Sequence, residues 1–242
     1  MKIPAFITVR SSSTRLPEKC FLPFGTGSVL EHVIRRVKHY DLDPIVCTTT
    51  EVTDDTIIEL AKKCNVKFFR GPVENKLLRW SQCCEHFDLE SFHSIDADDP
   101  FFDSKAIKKL ADHLNKNSCE IATLASKLDL KKDAQDENVC KVETREKISQ
   151  NSFAEALDFY RMSKNVNFDF TYHHIGIYAF TNKALIRYVS LKRSKLEVKR
   201  NLEQLRALEN KMKIDVGYTE DLPLSVDTED DFLEVKKIME NK

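Results

Sequence analysis

Glycine is scarce: the 242 residues contain only Gly25, Gly27, Gly71, Gly176 and Gly217. That spacing excludes a Walker A phosphate loop and the G-x-G-x-x-G dinucleotide fingerprint. Cysteine pairs at metal or redox spacing are missing too. The seven cysteines (20, 47, 64, 83, 84, 119 and 140) are odd in number, include no C-x-x-C, and fall at strand- or helix-like positions, so they read as reduced cytosolic thiols. Cys83 and Cys84 are adjacent, but neighbouring side chains diverge on a helix, so core packing explains them better than shared ligation. Net charge is nearly absent. With 38 Lys and Arg against 39 Asp and Glu, composition supports no nucleic-acid or membrane surface, and any anion site must be local. No apolar run approaches the roughly 18 residues of a membrane span, and the N-terminus has no signal-peptide core. A soluble, cytoplasmic protein is expected, organised as one domain over 1–242.

What the chain does have is concentrated at its start. An apolar run, Ile3 to Val9, breaks into small hydroxyl residues and then delivers Arg10, Arg15 and Lys19 within ten positions. A strand feeding such a loop suits a polyphosphate, because backbone amides and fixed cations share a small volume. Read without context, it is equally a basic surface loop. Further on, apolar residues at helical spacing follow Ser28, a strand over 44–50 ends in hydroxyls, Asp54 and Asp55 open a helix, and 66–69 form a third strand. This β-α-β-α-β alternation predicts an α/β fold, Rossmann-like, with a mostly parallel sheet and helices on both faces. Ligands then belong outside the carboxyl ends of the strands.

At 92–102 a strand ends in Asp96-Ala97-Asp98-Asp99-Pro100. Clustered carboxylates repel one another unless a cation or a helix N-terminus compensates, and Mg²⁺ takes one or two carboxylates plus phosphate oxygens. Asp103 reads instead as a helix cap. Helices are expected over 76–85, 104–115 and 232–239, and strands over 120–125, 138–142, 172–180 and 213–216. The segment 128–138 is charged and poor in apolar residues, so it is a loop. Taken singly, Lys141 reads as a solvated lysine, His174 as a satisfied strand histidine, and Leu202, Leu205 and Leu208 as a core face.

The order of several motifs supplies more. Arg10-x-x-Ser13-Thr14-Arg15-Leu16-Pro17-x-Lys19 resembles the signature loop of the 3-deoxy-manno-octulosonate (Kdo) cytidylyltransferases. Asp98 before Asp99-Pro100 is similar to their Gly-Asp-Glu-Pro or Gly-Asp-Cys-Pro element, and Val226-Asp227-Thr228 to their C-terminal aspartate motif. Asn138 to Val142, His174-Ile175-Gly176-Ile177-Tyr178, Ser194-Lys195-Leu196-Glu197 and Leu202-Glu203-Gln204-Leu205-Arg206 follow in the family's order. The resemblance implies a nucleotide-diphospho-sugar-transferase-type fold. It implies nucleotide contacts from Arg10, Ser11, Ser12, Ser13, Arg15, Lys19, Gly71, Arg79 and Asp96, with Arg10, Arg15, Lys19, Asp98 and Asp227 as catalytic residues and Mg²⁺ held by Asp98 and Asp227. Lys141, Arg161, His174, Tyr178, Glu203 and Gln204 would bind the sugar, inside a subregion at about 128–212 that also makes a homodimer contact. The implied reaction is CMP transfer from CTP to the anomeric hydroxyl of a 3-deoxy-2-keto sugar acid, releasing pyrophosphate, in a lipopolysaccharide or capsule pathway. Two departures keep alternatives open. Gly71 to Trp80 looks like the spore-coat-polysaccharide type of nucleotidyltransferase, and Asp96 replaces the family's Gln. A nucleotidyltransferase for another sugar, or a silent binding subunit of a polysaccharide pathway, are the other readings.

Overall fold

A computed structural model describes residues 2–116, 119–129, 133, 136–162, 167–220 and 224–240. The chain forms two compact units, Met1–Ser104 with Pro223–Lys242, and Lys105–Leu222. Among the described residues no helix is long and apolar enough to cross a membrane.

In the first unit, β1 (Ile3–Thr8) leads through the head loop to a short hairpin, β2 (Pro23–Phe24) and β3 (Gly27–Ser28). There follow α1 (Val29–His39), β4 (Leu42–Thr49), α2 (Asp55–Lys63), β5 (Lys67–Gly71), α3 (Lys76–His86) and β6 (Ser91–Asp96). The strands lie in the order β5-β4-β1-β6 and every pair is parallel, as the early alternation predicts. Ser28 caps α1 through a capping box with Glu31, and Asn75 caps α3 through the Leu78 amide, so both helices begin where their polar residues can satisfy orphan amides.

Asp54 departs from expectation. It stands at the N-cap of α2, but its side chain makes no capping hydrogen bond and is fully buried. It accepts hydrogen bonds from the Ser11 amide (2.8 Å) and hydroxyl (2.7 Å), and from the hydroxyls of Thr48 (2.9 Å) and Thr49 (2.5 Å). The hydroxyls that end β4 therefore hold a carboxylate, and that carboxylate buckles the head loop to the sheet. Burial by itself would raise the Asp54 pKa, but these donors outweigh it and hold the group below its ordinary value.

In the second unit, α4 (Ser104–Lys116) is followed by β7 (Ile121–Ser126), β8 (Lys141–Thr144), β9 (Phe153–Tyr160) and β10 (Thr171–Thr181). Next come α5 (Asn182–Ser190), α6 (Lys195–Arg200), α7 (Gln204–Glu209) and β11 (Asp215–Tyr218). The strand order is β10-β7-β11-β9-β8, and β8 pairs again with the start of β10, so the order returns on itself. Among the described residues here, only β11–β7 is parallel. The mostly parallel expectation thus holds for the first unit and is corrected in the second, where β8 and β9 are joined by a connection too short for a crossover. Of the charged segment 128–138, residues 130–132 and 134–135 lie outside the described residues.

Two of the spaced motifs meet as a buried ion pair. Glu197, at the end of Ser194-Lys195-Leu196-Glu197, receives two hydrogen bonds from the Arg206 guanidinium, at 2.8 and 2.6 Å. Its carboxylate also closes the capping box with Ser194. Spacing between the motifs is therefore set by what the two side chains must reach.

Two outcomes follow from these buried charges. Asp54→Ala, which strands several buried donors, is expected to lose roughly 2–4 kcal/mol of stability at neutral pH by urea denaturation. Because the folded-state pKa of Asp54 is depressed, its contribution is present above the ordinary carboxylate range and is lost as pH falls through the depressed value, so the gap to wild type narrows on acidification. Arg206→Met is expected to cost about 3 kcal/mol, the lower end for a broken buried pair because Arg193 remains on Glu197, and adding Glu197→Gln is expected to recover part of that loss.

Candidate active site

The candidate site of the first unit is assembled at the carboxyl ends of β1 and β6. After β1 the chain turns tightly: the amides of Ser13 and Glu18 both donate to the Ser11 carbonyl, at 2.9 and 3.0 Å. Glu18 adopts a left-handed backbone (φ 56°), a strained choice for a residue with a side chain, and this turn delivers Lys19 onto a short 3-10 segment.

Lys19 is the centre of the cluster. Its ammonium donates to Asp98 and, at 2.9 Å, to Asp227, and the Arg15 guanidinium contacts the same Asp227 oxygen at 2.9 Å. Burial alone would lower the Lys19 pKa, but the two carboxylates outweigh it and raise the value, so the ammonium stays charged. The Asp98 and Asp227 carboxylates converge as the tail motif predicts. The backbone fixes them: the Val226 amide donates to the Asp98 carbonyl at 2.8 Å, and Ser225 bonds Asp99. Val226 is itself buried with Phe24, Val29, Phe232 and Val235, so the C-terminal helix (Glu229–Glu240) anchors its aspartate through apolar packing. From the other side, α1 holds the Pro100–Phe102 turn. The Arg36 guanidinium donates twice to the Phe102 carbonyl and the His32 ring meets the Pro100 carbonyl.

Asp99 is buried, unlike its neighbour Asp98. Burial, then the charges of Asp98 and Asp96, push its carboxyl well above the usual range. The sequence pattern of three carboxylates in four residues conceals this division of environments.

The remaining nucleotide-binding expectations fall around the same loop. Arg10 is exposed and Ser12 partly engaged with Glu51, whereas Ser11 is buried with both its polar groups turned to Asp54. Ser11 is thus a fastener of the loop. Arg79 is buried too: its guanidinium donates to the Pro72 carbonyl at 2.8 Å, and burial lowers its pKa. A Cβ at Gly71 would stand 2.8 Å from the Arg79 side chain, so this glycine makes room for that arginine. Asp96 ends β6, and its carbonyl accepts from the Asp99 amide.

In the second unit, four of the six sugar-site expectations, Lys141, Arg161, His174 and Gln204, lie about Cys140, which sequence reasoning did not count among the site residues. The His174 amide donates to the Cys140 carbonyl, Gln204 approaches the Cys140 sulfur at 3.9 Å, and Lys141 adjoins it. The Lys141 ammonium donates to the carbonyls of Asp136 (2.7 Å) and Arg161 (2.6 Å), while the Arg161 guanidinium donates to those of Glu137 and Asn138. Lys141 is almost completely buried, which corrects the solvated reading, and burial lowers its pKa. His174 is bonded to Thr123 at 3.1 Å and stands 5.4 Å from the Tyr178 ring; the Glu203 carbonyl accepts from Tyr188. Between Ile175 and Tyr178 the register of β10 against β7 shifts, and the Thr123 hydroxyl reaches the carbonyls of Ile175 and Ile177. The glycine of His-Ile-Gly-Ile-Tyr lies in this bulge, the kind of irregularity that re-aims side chains near binding sites.

Chemically, the first-unit cluster offers a triphosphate three cations, and a small hard cation two carboxylates. The donor set fits Mg²⁺: both aspartates are partly exposed oxygen ligands, and the Lys19 ammonium already stands between them as a positive charge.

Comparison with known proteins agrees with this chemistry. A cytidylyltransferase family model matches residues 5–214. A 3-deoxy-manno-octulosonate cytidylyltransferase of Bartonella bacilliformis is 32% identical over 239 residues, 96% of each chain, and one of Rickettsia felis is 30% identical over 99% of this chain and 96% of its own. Among solved structures, a CMP:2-keto-3-deoxy-manno-octonic acid synthetase complexed with CTP superposes with TM-score 0.85 at 20% identity, covering 100% of this chain and 99% of that one. A UDP-glucose pyrophosphorylase complexed with UDP-glucose gives 0.72 at 12% identity, over 100% and 99%; at such identities the likeness concerns the fold. With a family match over most of its length and relatives aligned nearly end to end, this chain belongs to the cytidylyltransferase family.

Proposed function

We propose that the protein transfers CMP from CTP to the anomeric hydroxyl of a 3-deoxy-2-keto sugar acid, with 3-deoxy-manno-octulosonate as the substrate that its relatives' names favour. The single observation that carries this reading is the convergence of Asp98 and Asp227 on Lys19, beside Arg15, at the carboxyl ends of the parallel strands. In the reaction the hydroxyl oxygen attacks the α-phosphorus, the bond to the bridging oxygen breaks, pyrophosphate leaves, and the hydroxyl proton passes to solvent. Such a displacement asks the protein mainly for alignment and charge neutralisation. Arg10, Arg15 and Lys19 bind the phosphates and stabilise the negative charge that grows on the leaving pyrophosphate. Asp98 and Asp227 hold Mg²⁺, which supplies Lewis-acid neutralisation at the phosphate oxygens when bound.

The sugar is assigned to the second unit. Lys141 and Arg161 secure the 136–138 turn, His174 and Gln204 contact Cys140, and with Tyr178 and Glu203 these side chains are assigned to the sugar. Asp96 and the 71–79 segment, with Arg79 beneath the head loop, are assigned to the nucleotide. A cytoplasmic homodimer completes the proposal, in keeping with seven free cysteines.

The test is steady-state pyrophosphate release with CTP, Mg²⁺ and 3-deoxy-manno-octulosonate, with product mass confirmed as the CMP-sugar. Lys19→Ala is expected to cost about 2–4 kcal/mol of transition-state stabilisation, roughly 30- to 1,000-fold in kcat/KM. Asp98→Ala and Asp227→Ala are expected to lose at least as much, with unchanged melting of the remaining fold. Near-normal turnover in either aspartate variant discards the metal assignment.

A further inference from the structure

A second group of metal-competent side chains lies wholly within the second unit. His113 projects from the end of α4, Cys119 precedes β7, and Asp215 opens β11. One ligand atom from each stands within 4.8 Å of the other two, and the His113 ring nitrogen is 2.7 Å from the Asp215 carboxylate. Tetrahedral zinc ligands stand about 3.3–3.8 Å apart at bond lengths of 2.0–2.3 Å, so the hydrogen-bonded His113–Asp215 pair has to open and the wider pairs to close, each by roughly an ångström at most.

We propose that His113, Cys119 and Asp215 form a Zn²⁺ site. Its donor set differs in kind from that of Asp98 and Asp227. Imidazole nitrogen, thiolate sulfur and one carboxylate oxygen select a borderline-soft ion, whereas an all-oxygen pair suits Mg²⁺. The ligands are also pre-positioned. The His113 ring stacks flat on Phe153, with centroids 3.6 Å apart and planes 9° from parallel, which fixes its orientation. Asp215 is held by backbone pairing of β11 to both β7 and β9.

Charge decides which ion chemistry the place can accept. Lys105, Lys108, Lys109 and Lys116 line, with His113 and Phe153, an adjoining cavity of about 550 Å³, and their field opposes a further cation. A thiolate and a carboxylate cancel the two charges of Zn²⁺, so the loaded site is itself neutral, and exchanging the thiol proton for the ion adds one positive charge to that face rather than two. The Cys119 Sγ lies 3.2 Å from the Ile121 carbonyl. Thiolate ligation releases the thiol proton. Three protein ligands leave the fourth position to water. The ion would tie α4, the entry to β7 and the start of β11, and the site stands independently of the nucleotidyltransferase reading.

Titration of the full-length chain with Co²⁺ tests it. The expected result is a near-ultraviolet thiolate-to-cobalt absorption that saturates at one equivalent per chain and is displaced by Zn²⁺. It should be absent in Cys119→Ser, show at least tenfold weaker affinity in His113→Ala, and persist in Asp98→Asn. An absent band in the wild type, or a band that survives Cys119→Ser, overturns the site. Should the cysteine variant not fold, melting of the Asp98→Asn chain in Zn²⁺ against chelator decides: a raised Tm supports the site, and an unchanged Tm overturns it.

Discussion

One ammonium between two carboxylates is the contact on which the geometry of the candidate site depends. Lys19 is separated from Asp98 by 79 positions and from Asp227 by 208, so no local propensity brings them together. Each carboxylate repels the other, and only a cation at the middle makes their approach favourable. Attraction of partly exposed charges is weak on its own account, and here it is delivered by stronger forces. Apolar burial of Val226 among Phe24, Val29, Phe232 and Val235 closes the chain's tail onto its head, and the Val226–Asp98 backbone bond sets the distance. The core supplies the free energy, and the electrostatics supply the geometry.

Much of this was legible in the residues. Parallel alternation of the first strands, the capped start of α1 at Ser28, and the meeting of Asp98 with Asp227 all follow from pattern or motif. The role of Asp54 was not. An acidic residue just before an apolar helical run is also what a helix N-terminus looks like, and nothing local distinguishes a dipole partner from a buried acceptor that faces Ser11, 43 positions away. Lys141 misled for a related reason. Lysine is usually solvated, and only the tertiary position of the Asp136 and Arg161 carbonyls gives its ammonium a dry place to end. The antiparallel second unit was hidden because the residues of a strand, β8 and β9 included, carry no signal of which strand will pair with it.

The second unit shows why motif order outlasts single residues as a signal. Glu197 and Arg206 lie in different motifs, yet the buried guanidinium of Arg206 makes sense only with the Glu197 carboxylate, since a buried charge without a partner is strongly unfavourable. The bulge at Gly176 and Ile177 likewise needs Thr123 on the neighbouring strand to meet the carbonyls it frees. Ring, thiol and amide groups are then placed around Cys140 by backbone contacts that any side chain could make. For that reason Cys140 itself left no trace in the pattern.

A common logic governs the unfavourable features around the head loop. Glu18 takes a left-handed backbone, Asp54 is ionised without solvent, and Asp99 is a buried carboxyl beside two charged ones. None of these improves packing, and each costs on the order of a kcal/mol or more. All three lie on segments that fix where Lys19 and the two aspartates stand. A flexible loop of the same composition would hold its cations in water and let them relax toward whatever charge the substrate carries at each stage, giving ground and transition states equal comfort. Dipoles and charges that are already fixed respond only to charge that develops where they point, and that difference is what lowers a barrier. On the proposed reading, the strain of the head loop is the structural form of a preference for the transition state.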